Sequence, residues 1–401
     1  MVSWVIVVLS FIDEKIGKPS GDIMQKIVLV AGARPNFMKI APILRVLDEK
    51  YSDVLSPVLV HTGQHYDSNM SESFFRGLGI KTPDYNLDVG SASHAVQTAR
   101  VMTRFEEVCE REKPQHVLVV GDVNSTIAAG LVAKKMHICL SHVEAGLRSF
   151  DRRMPEEINR LATDAISDYF FVTEKTGRLN LLREGHCEEN VQFVGHVMID
   201  NLFYQLQNLN VANLSQEVLG IKEKLLGKYL CLTLHRPSNV DHPEMLKSLV
   251  QTLARIAEAV PIVFPCHPRT RSKMKENGLL DYCQTWNQAE RLNQGLILLD
   301  PLAYDDFLYL WKDATAVLTD SGGLQEETTA LNIPCLTLRE NTERPITVEE
   351  GSNILVGQKP KVLEMEAAKI LEGLVQKGKV PELWDGKASE RIVKFLSGLK
   401  C

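Results

Sequence analysis

Short apolar runs alternate along this chain with longer amphipathic segments, and clusters of polar residues, glycine and proline separate them. In the first half the runs at 27–30, 58–60, 116–120, 138–141, 169–172 and 191–194 predict strands. A second series follows a polar segment at 201–228 and comprises 229–234, 261–265, 296–299, 316–319, 335–338 and 354–356. Strands alternating with helix-length segments are the pattern of βα units around a mostly parallel sheet. Two such series predict an α/β chain of two doubly wound domains, 24–200 and 201–379, joined near residue 200. From about residue 363 apolar and charged residues alternate as in closing helices, and one from about 380 to 401 is expected to pack back on the first domain.

Length agrees with this division, since 401 residues exceed one ordinary core. The formal charge of −6, without a Lys/Arg run, argues against general nucleic-acid binding, so an anionic ligand must be held by locally placed cations. Eight cysteines are scattered without a CxxC pair, and Cys139, Cys231, Cys266 and Cys335 lie in strand-like runs. They read as reduced core thiols of a cytoplasmic protein. Residues 1–23 stand apart: the apolar stretch at 5–9 is too short to span a bilayer and lacks a signal peptide's basic flank. Met24, followed at once by the first strand, reads as the natural start, and 1–23 as a non-native or disordered extension.

Polar motifs follow the strands at their carboxyl ends: AGARPN at 31–36, GDVNST at 121–126, HRPSNVD at 235–241 and DSGGLQEE at 320–327. Open α/β sheets bind ligands at that edge, and two facing edges make a cleft. The run from His142 to Arg148, with that from Met154 to Arg160, sets Glu144, Glu156 and Glu157 beside a buried strand. Folding gains nothing from so many carboxylates there, because a buried unpaired charge is costly, whereas acid–base chemistry on a substrate needs them. Asp122 and Glu144 follow neighbouring strands and are expected to point into one pocket. Glu156 and Arg160 are four apart on a helix, placed either for the site or for an ordinary salt bridge. His235, after an apolar strand, is a site residue or a satisfied core histidine.

Ser321, Gly322 and Gly323 precede a helix predicted to begin near Leu324, where free amides hold phosphate oxygens. Glu327 then suits a ribose diol, which donates two hydrogen bonds to a carboxylate. Arg34 and Lys39 flank the start of the first helix, with Pro35 in its first turn, as charge neutralisers for a diphosphate. Arg344 is a similar cation from the second domain, unless it only pairs with Glu343. His61 and His65 are four apart but loop-bound without a third ligand, so no metal site is expected there. His267 reads as structural or substrate-adjacent. Neither GxGxxG nor GxxxxGK[ST] is present, which weakens nicotinamide and P-loop readings.

GARPNFMKIAPIL, HTGQHYD, GD-x-NST, HVEAGLRSFDRRMPEEINR, TLHRPSNVD, TDSGGLQEE and NTERP, in this order between about 24 and 357, resemble the non-hydrolysing UDP-N-acetylglucosamine 2-epimerases. The resemblance implies two Rossmann-like domains of the glycosyltransferase-B type with the site in the cleft, a homodimer, a UDP-sugar substrate, and no nicotinamide or metal. It implies nucleotide binding by Arg34 and Lys39, and catalysis by Asp122, Glu144 and Glu156, with Arg160 and His235 tied to catalysis or substrate. Phe307 and the Leu302 backbone fall where the family holds uracil, Ser321, Gly322 and Gly323 match its diphosphate loop, Glu327 its ribose ligand, and Arg344 a further nucleotide contact. Ser238-Asn239 and Ile346 depart from the family's usual residues, and bear on substrate preference and on activation at a second site to which Gln64 would contribute. The implied reaction interconverts UDP-GlcNAc and UDP-ManNAc through 2-acetamidoglucal. Alternatives are a sibling epimerase of UDP-2,3-diacetamido uronic acids, a hydrolysing epimerase and, from another class, a UDP-sugar-dependent glycosyltransferase.

Overall fold

The computed structural model describes residues 24–64, 72–288, 291–375 and 378–399. The leader 1–23 and His65 therefore lie outside the described residues. The first sheet contains β1 (Gln25–Ala31), β2 (Leu55–His61), β3 (Tyr85–Asn86), β4 (His116–Val120), β5 (Cys139–Val143), β6 (Tyr169–Val172) and β7 (Val191–Phe193). The second contains β8 (Leu230–Thr233), β9 (Ile262–Pro265), β10 (Cys283–Gln284), β11 (Leu296–Leu299), β12 (Ala316–Thr319), β13 (Cys335–Thr337) and β14 (Asn353–Leu355). Every pairing is parallel, in the orders β3-β2-β1-β4-β5-β6-β7 and β10-β11-β9-β8-β12-β13-β14. This is the expected architecture of two Rossmann-like sheets, the glycosyltransferase-B arrangement.

The strands form where they do because both faces of each sheet are covered. On β1, Ile27, Leu29 and Ala31 enter one apolar cluster while Val28 and Val30 enter the cluster behind the sheet. On β8, Leu230 and Leu232 face one way and Cys231 the other. Edge strands β3 and β10 have two residues each and no apolar run of their own. They arise by pairing to β2 and β11, a tertiary cause invisible to a local pattern.

The segment 201–228, read above as a polar connection, is largely helical. Helix Val197–Asn208 puts Val197 into the first sheet's cluster and Ile199 and Leu202 into the second's. Helix Gln216–Lys224 buries Val218 and Ile221. Helix Ala388–Ser397 returns to the first sheet, where Ala388, Ile392, Val393 and Leu396 join the cluster of Leu29, Phe37 and Leu44. Its first turn is anchored by Asp200, which accepts from the amides of Ala388 (3.1 Å) and Ser389 (2.6 Å). The two sheets are thus tied twice, by the shared helix and by the returning tail.

Strand order reverses between β1 and β4 in the first sheet and between β8 and β12 in the second. All four polar motifs singled out above leave the carboxyl ends of these four strands. Switch points are where an open sheet leaves a crevice for a ligand, so topology alone places the site.

Candidate active site

Helix Arg34–Lys50 begins directly beyond β1, with Arg34 and Pro35 as its first two residues. Lys39, one turn on, reaches the end of β5 and pairs with Glu144, Nζ to Oε2 2.5 Å. Glu144 is buried (3 % exposed) and its backbone is left-handed (φ 68°), an uncommon conformation for a residue with a side chain. The turn is held by its amide, which donates to the Phe171 carbonyl at 3.0 Å. Its Oε1 has no hydrogen-bond partner. Burial pushes the Glu144 carboxyl up, but Lys39, Arg344 and His196 outweigh it and leave it below the ordinary value.

Asp122 follows β4 and is about one-third exposed. Its carboxylate accepts from Arg160 Nη1 at 2.5 Å. Arg160 also donates to Glu157 (2.9 Å), and not to Glu156. Of the two readings for this pair, the ordinary Glu156–Arg160 salt bridge is absent, because Arg160 turns inward to Asp122 and to the residue beside Glu156. Glu156 is exposed in the first turn of helix Pro155–Ile166. Glu157 is buried and accepts from the amides of Ser149 (2.9 Å) and Phe150 (3.0 Å). The three carboxylates of this run thus part company: Glu144 faces partly buried cations, Glu157 ties down a loop, and Glu156 is free of both.

From the second sheet, the helix after β12 begins at Gly322, earlier than the position near Leu324 expected from the pattern, and runs to Ala330. Gly322 and Gly323 are consequently its first two residues, with amides that no helical carbonyl can reach. A methyl group on either would meet nothing within 4 Å, so that face is open. Glu327 lies one turn inward, buried, and accepts from Tyr304 Oη at 2.7 Å. Burial raises its carboxyl to about 7; the Tyr304 hydrogen bond opposes the rise and Glu326 adds to it. Glu326, next along, is held at about 2: burial would raise it, but Arg344, His196 and Lys39 prevail. It binds Arg344 Nε and, at 2.8 Å, His196 Nε2. Since His196 Nδ1 accepts from the Met198 amide (3.2 Å), its Nε2 is the donor to Glu326. His196 follows β7, so this buried contact joins the two halves. Arg344 pairs with Glu326 rather than with Glu343, which bonds Arg339.

His235 is neither buried nor free: its ring is 42 % exposed, with Nδ1 3.0 Å from Asp320 Oδ1. Buried Asp320 also accepts from the amides of His235 (2.9 Å) and Arg236 (2.8 Å), clamping the loop after β8 to the end of β12. A cavity of about 320 Å³ is lined by Arg34, His235, His267, Leu302, Tyr304 and Phe307. It brings a cation of the first sheet to the place expected for a base. Gln64 turns away from solvent: it is buried and its Oε1 accepts from Ser125 Oγ at 2.5 Å. His61, the last residue of β2, is buried against Phe37 (5.1 Å between ring centres). No group of three or more His, Cys, Asp or Glu placed to hold a metal occurs among the described residues.

The structure brings Lys39 to Glu144, Arg160 to Asp122 and Arg344 to Glu326, and gathers Arg34, His235, Leu302 and Phe307 about one cavity whose Tyr304 reaches Glu327; Gly322 and Gly323 open the helix that carries Glu327. Reading the sequence missed His196, Glu326, Tyr304 and Asp320. Glu326 and Asp320 stand inside a motif already singled out, but only the helix orientation tells Glu326 from Glu327. His196 had no local signal.

Known proteins resemble this chain in sequence and in fold. The sequence profile of the UDP-N-acetylglucosamine 2-epimerase family matches residues 49–397. A UDP-N-acetylglucosamine 2-epimerase of Methanocaldococcus jannaschii is 42% identical over 376 residues, covering 93% of this chain and 99% of that protein. A UDP-2,3-diacetamido-2,3-dideoxy-D-glucuronate 2-epimerase of Pseudomonas aeruginosa is 38% identical over 377 residues, 93% of this chain and 100% of its own. The crystal structure of the M. jannaschii UDP-GlcNAc 2-epimerase in complex with UDP-GlcNAc and UDP superposes with a TM-score of 0.74 at 42% identity, over 93% of this chain and 99% of that one. With a match over most of its length, and with the family's motifs brought to the two switch points, this chain belongs to the UDP-N-acetylglucosamine 2-epimerase family.

Proposed function

We propose that this protein interconverts UDP-N-acetylglucosamine and UDP-N-acetylmannosamine by eliminating and re-adding UDP. The observation that carries this reading is the opposition of two differently built walls. One holds carboxylates at the ends of β4 and β5; the other holds two open glycine amides and a buried carboxylate at a helix start. A C2 proton is not acidic by itself. Once the C1–O bond begins to break, positive charge at C1 acidifies C2–H, and a carboxylate removes the proton as UDP departs, leaving 2-acetamidoglucal. UDP then adds back to C1 while a proton is delivered to the opposite face of C2.

In this reading Asp122, Glu144 and Glu156 share the base, acid and oxocarbenium-stabilising duties. Arg160 and His235 hold groups around the reacting carbons. Arg34, Lys39 and Arg344 with the amides of Gly322 and Gly323, and Ser321 at their head, stabilise the departing diphosphate. Glu327 takes the ribose, and Leu302 and Phe307 the uracil. The paired state of Glu144 with Lys39 supports this assignment, because it keeps a buried carboxylate ionised.

We assign residues 24–200 and 201–379 to the two domains, and a second copy of the chain as partner. An open apolar face of helix His94–Glu112 and the start of helix Pro155–Ile166, with Ile158 exposed, supports the dimer. The cytoplasm is the assigned compartment, supported by the burial of Cys109, Cys231, Cys266 and Cys335 as core thiols. A second reading, epimerisation of a UDP-2,3-diacetamido uronic acid, is favoured by the 38% identity to the P. aeruginosa enzyme. Incubation with UDP-GlcNAc in D2O, followed at C2 by NMR, tests the proposal. Deuterium at C2 in a mixture of both UDP-sugars is expected. Free ManNAc would indicate hydrolysis, and inertness with intact UDP binding would turn attention to the diacetamido uronic acid.

A further inference from the structure

We propose that Asp164, acting through His142, is a positioning residue that sets the spacing between the candidate catalytic carboxylates Asp122 and Glu144; this rests on the epimerase reading above. Asp164 lies on helix Pro155–Ile166 one turn beyond Arg160, with no solvent exposure, and it touches none of the cleft. One of its oxygens faces a residue of β5 and the other the loop that follows that strand. Oδ1 lies 2.6 Å from His142 Nδ1. Oδ2 accepts from the Gly146 amide at 3.0 Å and from Arg148 Nη2 at 2.7 Å. The other ring nitrogen of His142 is 2.8 Å from the Gly121 carbonyl. That carbonyl can only accept, so the fully buried ring donates at this end and bridges Asp164 to the residue before Asp122.

One carboxylate thereby grips the backbone immediately ahead of Asp122 and the backbone two residues beyond Glu144. Both loops need such a grip. Gly121 and Gly146 are left-handed (φ 70° and 76°), and so is Glu144 itself. Glycine alone adopts that conformation without strain, so at Glu144 it must be imposed by tertiary contacts. The fit is close, since a methyl on Gly146 would lie 2.2 Å from the Gly177 carbonyl. Arg160, one turn before Asp164, holds the Asp122 carboxyl. A single helix therefore aims the side chain of Asp122, fixes its backbone, and fixes the loop of Glu144. Proton abstraction and return at one carbon depend on this spacing, because reacting groups lose rate steeply with misplacement.

The test uses Asp164→Asn, His142→Gln and the double variant in the full chain, alongside the unmodified protein and Asp122→Asn. Epimerisation kinetics, UDP affinity by calorimetry and amide exchange by mass spectrometry are read for each. Each single substitution is expected to lower kcat roughly 100-fold, the loss typical of a misplacement of about 1 Å, with KM and UDP affinity within about threefold. Because both residues act along one path, the double variant is expected to be no slower than the worse single one. Amide exchange is expected to quicken in segments 119–124 and 144–148 in Asp164→Asn, but only in 119–124 in His142→Gln, which leaves Asp164 on Gly146. Wild-type kcat in His142→Gln, a double variant slowed by the product of the single effects, or losses of UDP affinity equal to those in kcat would each overturn the proposal. An unmodified protein that does not exchange C2 would instead sink the epimerase reading, and the amide-exchange pattern would still judge the positioning.

Discussion

Replacing Glu327 by Gln is expected to make the free protein more stable and the nucleotide complex weaker. The Glu327 carboxyl is buried, bonded among the described residues only by Tyr304, and raised from 4.5 to about 7. A raised acid favours its neutral form in the folded chain. The folded state then holds a proton that the unfolded chain releases, so stability falls as pH rises from 4.5 through about 7 and is level above. At about 1.4 kcal/mol per pH unit, the interval amounts to about 3 kcal/mol. Gln has no proton to lose and still accepts from Tyr304. Glu327→Gln should therefore match the parent near pH 4.5 and exceed it by about 3 kcal/mol at pH 8. For a cooperative unit of roughly 150–250 residues that difference is about 6–12 °C in melting temperature. UDP affinity should move the other way: losing a charged acceptor for the ribose diol costs about 2 kcal/mol, roughly 30-fold in Kd. Melting curves of both proteins between pH 4.5 and 8.5, with and without UDP, give both quantities. A melting difference independent of pH, or a variant no more stable than the parent at pH 8, would refute the burial argument. Unchanged UDP affinity would remove Glu327 from the ribose.

Gly322→Ala places a methyl where nothing lies within 4 Å, so the fold should be undisturbed while UDP affinity, by calorimetry, drops about tenfold or more through the blocked approach to the helix amides. Asp122→Asn removes a one-third-exposed partner of Arg160, so melting should change by less than about 1 kcal/mol while turnover falls roughly 10²-fold or more, and near-normal turnover would exclude Asp122 from catalysis. Glu326→Gln strips partly buried Arg344 and buried His196 of their shared carboxylate and should cost about 3 kcal/mol at neutral pH. Because Glu326 is depressed to about 2, its contribution is present above 4.5 and lost as pH falls toward 2, so parent and variant melts should converge in acid.

The strand positions were legible because apolar runs are local: Val28 and Leu29 are neighbours in the chain and enter opposite clusters whatever lies far away. The polar loops at the carboxyl ends of β1, β4, β8 and β12 were legible for the same reason. So were Asp122, Glu144 and Glu327 as candidates, since their residue types and motifs are local facts. Their environments were not. Glu326 and Glu327 are adjacent in sequence, yet one lies held at about 2 between Arg344 and His196, and the other rises to about 7 against Tyr304. Glu156 and Glu157 divide likewise, since Arg160 is drawn to Asp122, thirty-eight residues away. The sequence by itself determined the βα order, the two switch points and the chemical types available there. Tertiary structure alone decided which charges are buried, which are paired and where their protons sit. Apolar periodicity is repeated within each segment, whereas the energy of a charge depends on dielectric and partners supplied by distant ones.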